Sequence, residues 1–176
     1  MLNPQSLQFR QIQPSDNTTK LSLGKKEYQP LKSFLRNCAL DFHQNHIAST
    51  YVLVDEVARV WGYITLMCSE VTLGSGYSFG ECPRANEYKI FPAVKVARLA
   101  VDKRLQGQGY GRLMIDWCVS MVKNDIMPII GCRFLTVDAK RVSVPFYEKM
   151  GFNMLETPAN IISEHPVMFI DLYKVK

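Results

Sequence analysis

Apolar residues recur at helical spacing over residues 30–46. Leu31, Phe34, Leu35, Cys38, Ala39 and Phe42 fall at i, i+3, i+4, i+7, i+8 and i+11, which lines one face of a helix. Pro30 suits its first turn. Before it, SLQFRQIQ (6–13) alternates as a first strand. After it, STYVLVDE (49–56) and ARVWGYITLMCSEV (58–71) are rich in β-branched and aromatic residues and read as two strands joined near Asp55-Glu56. Residues 72–92 carry no period; a loop of that length is either functional or a floppy hairpin tip. VKVARLAV (94–101) is a strand whose uninterrupted apolar end predicts burial on both faces. A helix is predicted at 109–124, with Leu113, Trp117 and Met121 in one row flanked by Met114 and Cys118. CRFLTVDA (132–139) is a strand and VPFYEKM (144–150) a short helix stopped by Gly151. FNMLE (152–156) and PVMFIDLY (166–173) supply the last strands. The order β-α-β-β-β-loop-α-β-α-β-β predicts an α/β fold: a mixed sheet covered by helices.

Composition narrows the class. The chain of 176 residues suits a single domain over 1–176, with 47% hydrophobic and 21% charged residues, ordinary for a globular protein. The apolar runs fall far short of the ~20 residues that span a bilayer, and the N-terminus lacks a signal-peptide pattern. A cytoplasmic protein with no membrane partner is expected. Five cysteines, odd in number, widely spaced and without CxxC, argue against a disulfide framework or a zinc site; buried reduced thiols are the expectation. His43 and His46 sit three apart and would share a helix face, but solvated histidines near a helix end are the simpler reading, and no metal is expected. The formal charge of +5 favours anionic partners without separating nucleic acid from a phosphate-rich cofactor.

The chemistry concentrates in RLQGQGYGR (104–112). A Walker loop would end Gly-Lys-Ser/Thr, but Gly111 is followed by Arg112 and Leu113. A dinucleotide fingerprint needs G-x-G-x-x-G, and Gly107, Gly109 and Gly111 alternate instead. A plain strand-to-helix turn needs one glycine, and each further one costs roughly 0.5–1 kcal/mol relative to Ala. An anion cradle remains. Amides without side chains in the way turn toward a phosphate, and the following helix adds free N–H groups and the positive end of its dipole. Lys103, Arg104 and Arg112 add charge nearby.

Gln106, Gly107, Gln108, Gly109, Tyr110 and Gly111, after the strand VARLAVD, match Q/R-x-x-G-x-G/A. This pattern resembles the acetyl-CoA loop of the GNAT acetyltransferases. VPFYEKMGF (144–152) is similar to the family's second segment, F-Y-x-x-x-G-F. YKIFPAVKVARLAVDKRLQGQGYG is most similar to the toxin-type branch, although Lys140 stands where that branch usually has an Asn.

The resemblance implies a mostly antiparallel sheet flanked by helices and splayed between central strands. It implies acetyl-CoA as cosubstrate, held by Arg104 and residues 106–111, with the pantetheine arm along the backbone of Leu99, Ala100 and Val101. A backbone N–H there would meet the developing oxyanion, for which one donor is worth ~3 kcal/mol. Tyr147 would be the general acid: with a pKa of about 10 it stays protonated at pH 7, while a thiol near 8.5 leaves as a thiolate that needs a proton. The alternative is that Tyr147 merely caps the core beside Phe146.

The toxin-type branch implies aminoacyl-tRNA as acceptor and an antitoxin protein as partner. VKVARLAV carries no carboxylate for a general base, and Ser69 and Glu70 are weak candidates. An α-amino group, with a pKa of about 8, is partly neutral at pH 7 without help; the missing base favours such an acceptor. Lys25, Lys26, Lys32, Arg36, Lys140 and Arg141 would form an RNA surface or, more plainly, a solvated face. Three alternatives stay open: a transferase for a small amine, one for a peptide amine, and a non-catalytic acetyl-CoA-binding module. Apolar edge strands are compatible with a homodimer.

Overall fold

The computed structural model describes residues 7–74 and 76–175. Ser6, the expected start of the first strand, and Ser75 in the 72–92 loop lie outside the described residues. The strands are β1 (Gln8–Gln11), β2 (Ser49–Val54), β3 (Val60–Thr72), β4 (Ile90–Val101), β5 (Phe134–Asp138), β6 (Asn153–Met154) and β7 (Val167–Asp171). Among the described residues they hydrogen-bond in the order β1-β2-β3-β4-β5-β7-β6, a mixed, mostly antiparallel sheet. The helices are α1 (Gln29–Asn37), α2 (Ala39–Gln44), α3 (Tyr110–Met121), α4 (Met127–Ile130), α5 (Val144–Lys149) and α6 (Pro158–Ile162). The chain divides into two compact units, one of residues 1–67 and 97–114, the other of residues 68–96 and 115–176.

In the first unit, β1, β2 and β3 pair antiparallel. Their core-facing side chains meet α1 and α2 in one cluster that includes Phe34, Leu35, Ala39, Val52, Val54, Tyr63 and Ala100. The helix expected over 30–46 is interrupted: Cys38, at φ −132°, ends α1 and precedes α2. The apolar stripe runs through the break, so the pattern alone does not reveal it. The register steps from Leu53↔Gly62 to Val54↔Val60, which makes Trp61 the extra residue of a β-bulge. The bulge turns Trp61 away from the main core into a smaller cluster with Leu53 and Leu105. Gly62 is required by close approach: a β-carbon there would lie 3.1 Å from the Ala100 carbonyl oxygen.

In the second unit, β5 pairs parallel with β4 from Ala93↔Phe134 to Val96↔Val137 and antiparallel with β7. The parallel register ends at Val96↔Val137, one residue before the end of β5, while β4 runs on to Val101. Parts of the 72–92 segment are regular. A short turn of helix covers Pro83–Glu87, and β4 begins at Ile90. Phe79 is buried with Val71, Phe134 and Phe169, and its amide donates to Asn86 Oδ1 at 2.9 Å. The Tyr77 hydroxyl donates to Asp171, whose carboxylate also receives Arg133 Nε at 2.6 Å. Burial pushes the Asp171 carboxyl up, but the bonds from Arg133 and Tyr77 outweigh it and hold it below the ordinary carboxylate range.

Two expectations need correction. In α3 the buried positions are Met114, Ile115 and Cys118, followed by Val122, whereas Leu113 of the predicted row is half exposed. The helix also continues past Met121 through a wider turn, Val122–Ile126, into α4. Pro128 lacks the amide that an α ladder would use, and Gly131 closes the run in the left-handed region at φ 67°. Of the five cysteines, Cys118 and Cys132 are buried but Cys68 and Cys82 are exposed.

Candidate functional site

The glycine loop is built outward from Asp102, the residue after β4. Its side chain is wholly buried and accepts four hydrogen bonds: the Ser22 amide (2.9 Å), the Arg104 amide (3.1 Å), Arg104 Nε (2.7 Å) and Arg104 Nη2 (2.7 Å). Burial pushes its carboxyl up; the Arg104 and Ser22 bonds more than compensate and hold it below the usual range. Its own carbonyl accepts the amides of Leu105 and Gln106, and its amide donates to the Trp61 carbonyl at 2.7 Å. Lys103 adds a backbone bond to Ser22. The loop is therefore pinned to two distant segments before it reaches the glycines.

Arg104 was expected at the cofactor. Its guanidinium bonds Asp102 and lies 4.3 Å from the Trp61 ring centroid. The bulge at Trp61 thus has a purpose near the loop: it presents an aromatic face to the arginine. The glutamine side chains also turn inward. Gln106 Nε2 donates to the Val101 carbonyl (2.9 Å) and Gln108 Nε2 to the Arg104 carbonyl (2.8 Å). Tyr110 packs against the Leu53–Trp61–Leu105 cluster.

The loop's glycines leave its main chain open. Gly107 and Gly109 adopt φ 78° and 87°, and a β-carbon at either would meet nothing within 4 Å. Their amides find no backbone acceptor among the described residues outside helices and strands. Gly111 lies in the first turn of α3, where amides lack intrahelical acceptors. Leu99, Ala100 and Val101 lead into the loop on one strand, with Ala100 facing the α1–α2 core. Arg104, Gln106 and Gln108 brace the loop internally through these bonds.

Tyr147 lies in α5, in the second unit. Pro145 occupies the helix's first turn, and Gly151, at φ 86°, ends it. The phenol ring packs edge-on against Phe146 (5.1 Å) and Phe152 (5.3 Å), so the residue is buried, and burial pushes its hydroxyl pKa up. No hydrogen bond to another described residue engages that hydroxyl. Tyr63 is the useful contrast: fully buried, it donates to the Leu31 carbonyl at 2.7 Å and is a structural tyrosine. Glu70 is exposed at the end of β3, and Ser69 Oγ makes only a long bond to the Glu70 carbonyl, 3.4 Å. Lys140 and Arg141 sit at the start of the turn before α5, and Arg141 is bound to the Ser163 and Ile161 carbonyls. His43 Nδ1 accepts the Thr50 amide at 3.3 Å. No group of three or more potential metal ligands occurs among the described residues, and no described helix is long and apolar enough to cross a membrane.

Sequence reasoning missed Asp102 and Trp61. The Asp-x-Arg spacing after a strand was visible; Ser22, 80 residues away, and the bulge were not.

Comparison with known proteins gives the class. The family model described as "Acetyltransferase (GNAT) domain" matches residues 48–162. The chain belongs to the GNAT acetyltransferase family, whose acyl donor is acetyl-CoA. Among solved structures it is similar to a Tyr-to-Phe mutant of KacT, at 26% identity and TM-score 0.80, covering 96% of each chain. It is similar to the KacTA–DNA complex, at 26% identity and TM-score 0.72, covering 95% of this chain and 94% of that one. The fold also matches AtaT complexed with acetyl-methionyl-tRNAfMet, at 24% identity and TM-score 0.78, covering 95% of each chain.

Proposed function

We propose that residues 1–176 act as one toxin-type acetyltransferase domain that moves acetyl from acetyl-CoA to the α-amino group of an aminoacyl-tRNA. The amides of Gly107, Gly109, Tyr110 and Gly111 hold the diphosphate. Arg104, Gln106 and Gln108 serve by keeping those amides in place. The backbone of Leu99, Ala100 and Val101 lies along the pantetheine arm. The neutral amine attacks the thioester carbonyl, the carbon–sulfur bond breaks, and Tyr147 gives its proton to the departing sulfur. The amine's own proton leaves to water, since Glu70 is exposed and no nearer base is assigned.

The observation that carries this reading is the uncommitted Tyr147 hydroxyl. Burial keeps it protonated across the working pH, as a general acid must be, and no neighbour claims it. A tRNA acceptor is supported by the AtaT complex with acetyl-methionyl-tRNAfMet, by the +5 charge and by the low pKa of an α-amine. The complex of AtaT with the C-terminus of the antitoxin AtaR supports an antitoxin partner, and the KacTA–DNA complex supports assembly of more than one chain. Such an enzyme works in the cytoplasm, where charged tRNA is.

The test is to incubate the protein with labelled acetyl-CoA, charged tRNA and a panel of small and peptide amines. Label should pass to the aminoacyl group of the tRNA. Label on small amines alone would overturn the acceptor assignment.

A further inference from the structure

Arg98 stands out among the arginines. Arg10 has Asp16, Arg104 has Asp102, and Arg133 has Asp171 and Glu81. Arg98 has no hydrogen bond or ion pair to any described residue. Its guanidinium carbon lies 3.6 Å from the centroid of the buried Phe34 ring, so the cation is half-buried on an aromatic floor. The nearby phenol of Tyr63 does not serve it, because that hydroxyl donates to the Leu31 carbonyl. A guanidinium cannot shed its proton and carries five donors. With its guanidinium carbon over the Phe34 ring, its N–H groups have no acceptor among the described residues.

We infer that Arg98, laid on Phe34, is a phosphate-binding contact for the RNA acceptor. Three observations support this. Arg98 is the residue before Leu99, so its anion would lie beside the strand that the thioester arm follows. The neighbouring segment 25–37 carries Lys25, Lys26, Lys32 and Arg36 against the single acid Glu27, which favours a polyanion over a lone carboxylate. A planar guanidinium fork held over an aromatic ring suits the paired oxygens of a phosphodiester. The inference rests on the aminoacyl-tRNA reading, and it names a contact that this reading lacked.

The same chemistry would fit the phosphates of coenzyme A, and one experiment separates the two sources. Binding of uncharged tRNA is measured across salt for the natural protein, Arg98→Gln and Arg98→Lys, and acetyl-CoA binding is measured by calorimetry. Arg98→Gln should weaken tRNA binding about ten-fold or more, the size of a lost charged hydrogen bond. The slope of log affinity against log salt should become shallower by about one, the signature of one phosphate contact. Arg98→Lys, which keeps the charge, should retain the slope and recover part of the affinity. Acetyl-CoA affinity should not change. A packing defect alone would not alter the salt slope.

Unchanged tRNA binding in Arg98→Gln overturns the contact, as does a natural protein that binds no tRNA. A loss that falls on acetyl-CoA assigns the residue to the coenzyme and overturns it too. Arg98-dependent binding without label transfer to charged tRNA would sink the proposed function and leave the contact standing; label transfer with unaltered binding in Arg98→Gln would do the reverse.

Discussion

At the scale of single residues, two buried side chains differ in how they are bonded. Asp102 is fully satisfied and holds the loop, whereas the Tyr147 hydroxyl bonds no other described residue. Asp102 makes a pH prediction with a definite sign. Its carboxyl titrates lower in the folded chain than in the unfolded one, where it sits near 3.9. Its stabilisation is therefore complete above about pH 4–5 and is lost as pH falls through the folded value. Asp102→Asn should lower stability at pH 7 by ~1–3 kcal/mol, because the charged bonds to Arg104 and Ser22 are lost. Melting curves from pH 7 to 3 should show a shallower acid decline in the variant. Parallel curves would mean that Asp102 is not the titrating brace. Its role was half legible: the position after the strand was plain, but its partner Ser22 required the fold.

At the scale of elements, the legible parts were those whose period is set locally. The strand VKVARLAV, the loop and the following helix came out in order because alternation, glycine and the helical repeat each read off adjacent residues. What failed depended on distant packing. The break at Cys38 leaves the apolar stripe of α1 and α2 continuous, so periodicity did not register it. The buried face of α3 is turned by one residue from the expected row, because Met114 and Ile115, not Leu113, meet the core. The 72–92 segment lacks a period because it is held by aromatic packing and the Tyr77–Asp171 bond. The glycine loop makes its own prediction. Gly109→Ala places a β-carbon at φ 87° in open space, so strain rather than collision is the cost, about 1–2 kcal/mol. Acetyl-CoA binding should weaken measurably in calorimetry while the fold persists. Unchanged affinity would show that the left-handed backbone at Gly109 is not needed for the cradle.

At the scale of the whole molecule, family membership establishes an acetyltransferase, and the residues say how this one is equipped. In the proposed function the coenzyme is held by main chain, and the loop's side chains serve as braces. The same proposal gives the acceptor a partly neutral α-amine and, at the cation on Phe34, a phosphate. The acceptor was the least legible part of the sequence, because scattered lysines look the same on a solvated face and on a binding surface.

The central claim is that Tyr147 is the proton donor. It is tested most directly by measuring thiol release and acetyl-CoA affinity in Tyr147→Phe. Turnover should fall about 10²–10⁴-fold, the usual size of a lost general acid. Cofactor affinity and melting temperature should stay close to the natural protein's, since the hydroxyl bonds no described residue. Turnover within a few-fold of the natural protein, or a collapse of stability in its place, would show that Tyr147 is a core residue and would contradict the mechanism.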